Sequence, residues 1–505
     1  MRLRTSASVV LAALALAPLP ALAQSGHDTP PPAPAQKKPE APPPDKNPLP
    51  ADKSVPQTIT IHGKTLHYTA TVGTIQLKDH DGKPTGEVVY TAFTLDHPSG
   101  PRPVTFALNG GPGASSVYLD MGAIGPKRVA FGNEGDAPSD PATLTDNQAT
   151  WLDFTDLVFI DPIGTGFSRS LVDEAQTKKL FYTPQTDIEY LSLVVYKWLV
   201  KNDRLLDKKY MVGESYGGYR VPRMTHYLQS QIGVAMNGIV LVSPYLNPDL
   251  GPGQLSPTPW MVTMPSMAAS HLEREHKLTP EAMQSVIAYD QGDYATTLIK
   301  GHSDPAALSA MVAKVADLTG LDPQYVKYEG GRLDVGSYLR EVHREQGQLG
   351  SVYDANVTAP DPFPFSPDQE SGDPILESII APTTTAMVNF ITNTVGWKDD
   401  ARYYALSDVV NRDWDDDAEA LRKGAVGDLR QALSADPKMR VLIVHGWNDL
   451  SCPFMGSVLS VAQMPPMGEP GRISVHEFPG GHMFYTRSAN GEDLHKLADT
   501  MVATH

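Results

Sequence analysis

Only one of the 505 residues is cysteine, Cys452, so no intramolecular disulfide braces the chain. Cationic surplus is missing as well. Lys and Arg number 41 against 58 Asp and Glu, a formal net charge of −17, which argues against a nucleic-acid partner. No internal repeat with a period of roughly 20 to 50 residues marks a solenoid or a propeller. With 41% hydrophobic and 20% charged residues, stability has to come from a buried core. The length suits one large domain with additions, or two to three domains.

What is present begins with MRLRTSASVVLAALALAPLPALAQ, where Arg2 and Arg4 precede an apolar run too short to span a bilayer. Ala21-Leu22-Ala23 follows as a small-x-small cleavage site, so residues 1–23 are expected to be a secretory signal peptide. Pro18 and Pro20 disfavour an uncleaved anchor helix. Cleavage leaves 39 basic against 58 acidic residues, a charge of −19, no membrane span, and a periplasmic or secreted protein. Residues 24–57 are rich in proline and charge, which predicts a disordered linker.

Alternating apolar and polar residues from Thr58 to Asp96, broken at Asp79-His-Asp-Gly82, predict two or three antiparallel strands. Apolar strands follow at Pro103–Leu108, Thr155–Asp161, around Tyr210 and at Asn237–Val242, with a helix over Gln185–Val200. The alternation of strands with helices predicts an α/β fold with a mostly parallel central sheet. Its first part is expected over residues 58–245 and its second over 386–505, where Arg440–Val444 and Arg472–Phe478 read as strands. Residues 246–385 are expected to form an inserted helical cap. His271 and His276 in that cap lie about 140° apart on a helix and match no zincin pattern, so no metal site is expected.

The chemistry is concentrated at the ends of these strands. Gly213-Glu-Ser215-Tyr-Gly217 is a G-x-S-x-G segment between a short apolar run and a helix, the setting in which a sharp turn exposes a serine Oγ. Asn109-Gly-Gly-Pro-Gly-Ala-Ser-Ser116, after another strand, suits a loop cradling an anion, either a phosphate or a tetrahedral oxyanion. It lacks the lysine of a G-x-x-x-x-G-K-[ST] phosphate loop. Acyl transfer needs a serine, a histidine to take its proton and a carboxylate to hold the imidazole. Ser215, Asp449 and His482 occur in the order serine, acid, histidine, each just after an expected strand. His445 rivals His482 as the base but precedes the acid in the chain.

Taken together, these segments resemble the serine carboxypeptidase family of the α/β-hydrolase superfamily, with this chain as a divergent, bacterial-looking member. Asn109–Ser116 is similar to the family's W-L-N-G-G-P-G-C-S-S, Pro162-Ile-Gly-Thr-Gly-Phe-Ser168 to P-V-G-x-G-F-S, and Gly213–Gly218 to its nucleophile segment. Gly446-Trp-Asn-Asp449 resembles G-D-x-D, and Gly480-Gly-His482-Met resembles G-A-G-H-M.

The resemblance implies nucleophile Ser215, acid Asp449 and base His482, with oxyanion donors from the backbone of Gly111 and Tyr216. Asn109 and Glu214 match positions that bind the substrate's terminal carboxylate, and Cys452 one that lines the acyl-side pocket in some members. Three features depart from the family: Ala123 replaces the glutamate of E-x-G-P, Ala107 the tryptophan before L-N-G-G, and Arg220 an aromatic residue; structural disulfides are also absent. Arg220 is the candidate to receive the carboxylate in place of the missing acid, the alternative being a pair with Glu214 or with acids of the cap. The function implied is a serine-type carboxypeptidase acting on peptides through an acyl-enzyme, without metal or cofactor. An esterase or acyltransferase on the same residues, and a catalytically inactive binding protein, are the alternatives.

Overall fold

The Thr58–Asp96 stretch forms a meander. In the computed structural model, which describes residues 47–129, 138–139, 141–246, 256–366, 372–415 and 424–504, β1 (Lys53–Ile61), β2 (Lys64–Lys78) and β3 (Pro84–Leu95) pair antiparallel in turn. The expected signal peptide and the first part of the expected linker lie outside the described residues. The chain continues through β4 (Val104–Leu108), the small hairpin of β5 (Lys127–Val129) and β6 (Leu144–Asp146), β7 (Asp156–Ile160) and the two-residue β8 (Arg169–Ser170). After β9 (Lys209–Glu214) and β10 (Gly238–Val242) come a second hairpin, β11 (Gln348–Gly350) and β12 (Thr358–Pro360), and then β13 (Arg440–Gly446) and β14 (Ile473–Phe478).

The main sheet runs in the order β1-β2-β3-β7-β4-β9-β10-β13-β14, with β8 appended to β3. From β7 to β14 all neighbours are parallel. Every residue of β4, β7, β9 and β10 is buried, because helices and loops cover both faces, which is why these strands read as continuous apolar runs. One face packs Phe106, Tyr90 and Trp198; the other packs Tyr68, Phe93 and Phe159.

The structure moves two expected boundaries. The linker does not extend to residue 57: β1 pairs residue by residue with β2, Lys53 opposite Val72 and Ile61 opposite Lys64, and buries Ile59 and Ile61. A polar segment containing Pro56 is tolerated there because β1 is the sheet edge. The cap also ends earlier than residue 385. The helix Pro374–Asn389 packs Ile375, Ile379 and Met387 on the sheet, and Phe390 just beyond it meets Phe93 at 6.0 Å between ring centroids. Among the described residues Pro374–Val395 is the one segment long and apolar enough to cross a membrane, and its apolar face lies in this core.

The cap itself gathers helices Thr258–Arg274, Pro280–Tyr289, Pro305–Thr319, Pro323–Tyr328 and Val335–Glu341 around Met267, Met283, Val315 and Tyr338. Three of these helices start with a side-chain cap followed by proline at the first position: Thr279 with Pro280, Asp304 with Pro305, Asp322 with Pro323. The cap core also takes in Trp447, Leu450, Phe454 and Met455, which follow β13.

Candidate active site

At the end of β9 the chain reverses into the helix Tyr216–Tyr227, and Ser215 takes up the turn at φ 59°, ψ −123°. This is left-handed backbone that a serine adopts only under constraint. The constraint is visible. A Cβ on Gly213 would strike the carbonyl of Gly217, and one on Gly217 would strike that of Leu108. Ser215 N donates to Val242 O at 3.0 Å, and its carbonyl accepts from Gly218 N at 2.8 Å and Tyr245 N at 2.9 Å. The serine is left half-buried at the carboxyl end of the sheet.

The acid and the histidine arrive from β13 and β14. His482 Nδ1 lies 2.7 Å from Asp449 Oδ2, and Asp449 Oδ1 accepts from the backbone N–H of Ser451 at 2.8 Å and of Cys452 at 2.9 Å. Both carboxylate oxygens are thus engaged, which holds the imidazole with Nδ1 toward Asp449. The main chain is fixed too: His482 N donates to Tyr353 O at 2.5 Å, and Ser243 Oγ donates to His482 O at 2.8 Å. Burial pulls the His482 imidazole down, but Asp449 and Cys452 outweigh it and hold the ring well above its usual pKa. Burial pushes the Cys452 thiol up, against the pull of His482 and Ser215. His445 instead binds Ser457 Oγ at 2.8 Å, and burial drives it down to about 4.

On the other side of Ser215 lies Glu214. Its Oε2 accepts from Asn109 Nδ2 at 2.5 Å and its Oε1 from the Tyr485 hydroxyl at 2.8 Å, while Asn109 Oδ1 accepts from Leu119 N at 2.9 Å. Burial raises the Glu214 carboxyl above its usual range, against the pull of His482, Tyr485 and Asn109. The glycine loop is close to the Ser215 turn: a Cβ on Gly110 would collide with Tyr216 N and with the carbonyl of Glu214. Ala123 is buried in the π-helix Asp120–Ile124 and brings no acid to this place. The Tyr118 hydroxyl is buried without a hydrogen-bond partner, with Glu214 and Tyr353 as its electrostatic neighbours.

Arg220 does not face this space, which corrects the expectation that it receives a substrate carboxylate. Its side chain is wholly buried, with Nε donating to Asp187 Oδ2 at 2.6 Å and Nη1 to Asn109 O at 2.5 Å. Neither Glu214 nor a cap acid is its partner. Asp187 lies on the helix Pro184–Lys201, a pairing that local sequence does not announce.

Sequence reasoning also missed Tyr485, although it stands three residues past His482. It missed the ionic network in which Arg487 binds Glu273 of the cap at 2.5 Å and Asp354 at 3.3 Å. Among the described residues no group of three or more His, Cys, Asp or Glu is placed to hold a metal.

Comparison with known proteins gives a family model described as serine carboxypeptidase, matching residues 69–351, more than half of the chain. Serine carboxypeptidase-like 36 of Arabidopsis thaliana is 28% identical over 211 residues, 40% of each chain. Pheromone-processing carboxypeptidase KEX1 of Tuber melanosporum is 31% identical over 143 residues, 27% of this chain and 20% of that one. The chain therefore spans less than half the length of these two relatives. The crystal structure of KEX1(ΔP), a prohormone-processing carboxypeptidase from Saccharomyces cerevisiae, is similar with a TM-score of 0.54 at 16% identity, over 86% of this chain and 91% of that one. The fold is that of an α/β-hydrolase.

Proposed function

The chain belongs to the serine carboxypeptidase family, and from that premise we propose that it is an exported serine-type carboxypeptidase, periplasmic or secreted, that removes residues from the carboxyl end of peptides. The observation that carries this reading is the 2.7 Å contact between His482 and Asp449 beside the strained turn at Ser215.

In this reading His482 Nε2 takes the Ser215 hydroxyl proton as Oγ attacks the scissile carbonyl carbon. The carbonyl π-electrons move onto oxygen, where the amides of Gly111 and Tyr216 receive the charge. The C–N bond then breaks, His482 gives its proton to the departing amine, and the acyl group remains on Ser215. Water repeats the sequence with His482 as base and returns the serine. Asp449 stays ionised throughout and stabilises the imidazolium.

The side of the site away from the acyl group is formed by Asn109 and Glu214. With Glu214 protonated, its hydroxyl and Asn109 Nδ2 turn toward a substrate carboxylate, an interaction that weakens as pH rises through the raised Glu214 pKa. Ala123 favours a second reading, an esterase or acyltransferase with less demand for a free carboxyl terminus. The experiment that separates them is product analysis on matched peptides with free and amidated carboxyl termini. It is paired with fluorophosphonate labelling of Ser215, located by mass spectrometry. Cleavage of the free form alone supports the carboxypeptidase, and failure of the folded protein to label removes both enzymatic readings.

A further inference from the structure

Arg220 is wholly buried, yet it touches the residue that opens the glycine loop and the side chain of Tyr216. Its Nη1 donates to Asn109 O at 2.5 Å, and its guanidinium carbon lies 5.1 Å from the Tyr216 ring centroid. Because a peptide unit is planar and trans, its C=O and N–H point in opposite directions. Anchoring Asn109 O therefore aims the Gly110 N–H and limits how the Gly110–Gly111 loop can turn. The same bond, charge-assisted, polarises that amide. On the other side, the ring over the guanidinium belongs to Tyr216, whose backbone N–H abuts Gly110. Asp187, 2.6 Å from Nε, fixes the guanidinium in the plane from which it reaches both.

Stability alone does not account for the arrangement, since a buried ion pair is often replaced by apolar residues of similar volume without loss. A lysine would not reproduce it either. An ammonium is a point charge, whereas the guanidinium fork serves Asp187 and Asn109 at once. We propose that Arg220 is a positioning residue, a buried cation braced by Asp187 that sets the Asn109–Gly111 loop against the Tyr216 amide. The oxyanion donors are then in place before the tetrahedral centre forms. The proposal rests on the serine-hydrolase reading of the site.

The test compares the mature wild type with Arg220→Lys, Arg220→Met and Asp187→Asn. Each is measured for kcat and KM on a peptide and on a neutral ester, for inhibition by a peptidyl boronate that mimics the tetrahedral centre, and for melting temperature. Loss of one oxyanion donor costs about 10²- to 10³-fold in kcat, so Arg220→Met and Arg220→Lys are expected to fall by roughly 10² on both substrates with KM little changed. The boronate should weaken in parallel, and Asp187→Asn, which keeps the Asn109 contact, should lie between. Folded variants with wild-type kcat, or with losses confined to KM, overturn the proposal. Should Arg220→Met fail to fold, wild-type kcat in both Arg220→Lys and Asp187→Asn overturns it equally. A wild type silent on both substrates and unlabelled by fluorophosphonate overturns the hydrolase reading instead.

Discussion

The Tyr485 hydroxyl donates to Glu214 across 2.8 Å, tying the loop that carries His482 to the residue immediately before Ser215. Glu214 is thereby held from two sides, by Tyr485 and by Asn109, with both donors drawing its carboxyl pKa down against burial.

Removing one of those donors has a definite sign. In Tyr485→Phe the Glu214 carboxyl rises further, so its protonated form persists to higher pH. Binding of free-carboxyl peptides, lost in the wild type as pH rises through the Glu214 pKa, should extend upward in pH. Amidated peptides should show no such shift. The check is 1/KM against pH for both substrates, and an unmoved or downward-shifted limb would count against the role given to Glu214. The unpaired Oε1 should also cost stability, about 1 to 3 kcal/mol.

Ser215→Ala and His482→Ala are each expected to lower turnover by several orders of magnitude with the fold intact, because the residues act as a unit. Asp449→Asn should cost about 10⁴-fold. The base works deprotonated, so activity rises with pH through the His482 pKa. Asp449 holds that pKa up, and its replacement should move the rising limb to lower pH. His445→Ala serves as the control: if it abolished activity while His482→Ala kept it, the base would be misassigned.

Asp290 is buried in the cap with both carboxyl oxygens unpaired, and burial pushes it from 3.8 up to about 8. The folded protein therefore keeps a proton that the unfolded chain releases. The stabilising contribution is full below 3.8 and is lost as pH rises through about 8. Asp290→Asn lacks this titration. Urea melts at several pH values between 4 and 9 should show the variant gaining on the wild type as pH rises. Parallel curves would show that Asp290 titrates normally.

Truncation separates the tether from the sheet. Deleting residues 24–46 is expected to leave the melting temperature nearly unchanged, because so polar and proline-rich a stretch buries little. Extending the deletion to residue 61 removes β1 and exposes the surface that Ile59 and Ile61 cover, about 1.5 to 3 kcal/mol for each isoleucine. Calorimetry on the two truncations decides, and equal melting temperatures would mean that β1 contributes nothing.

What the sequence made legible was local. Each of Ser215, Asp449 and His482 sits within a few residues of a strand end, so motif and strand pattern point to the same place. Arg220 was misread because its partner, Asp187, lies on another helix, and a lone arginine near a nucleophile looks the same in sequence whether it faces substrate or core. Most of the helix Pro374–Asn389, up to residue 385, was assigned to the cap because composition does not say which core receives an apolar face. The first half of β1, Lys53–Gln57, was read as linker because an edge strand exposes one side and tolerates proline, which makes it resemble a tether.

The cap is bonded into the chemistry. Its turn at residues 351–357 gives Tyr353 O to His482 N and Val352 O to Leu450 N, while Trp447 and Leu450, on either side of Asp449, sit in the cap's own core. A chimera that exchanged this insertion for a relative's, or cut it away, would remove the main-chain bonds to His482 and Leu450 and the packing on either side of Asp449. Changes inside the cap therefore reach Asp449 and His482 through main-chain bonds and shared packing.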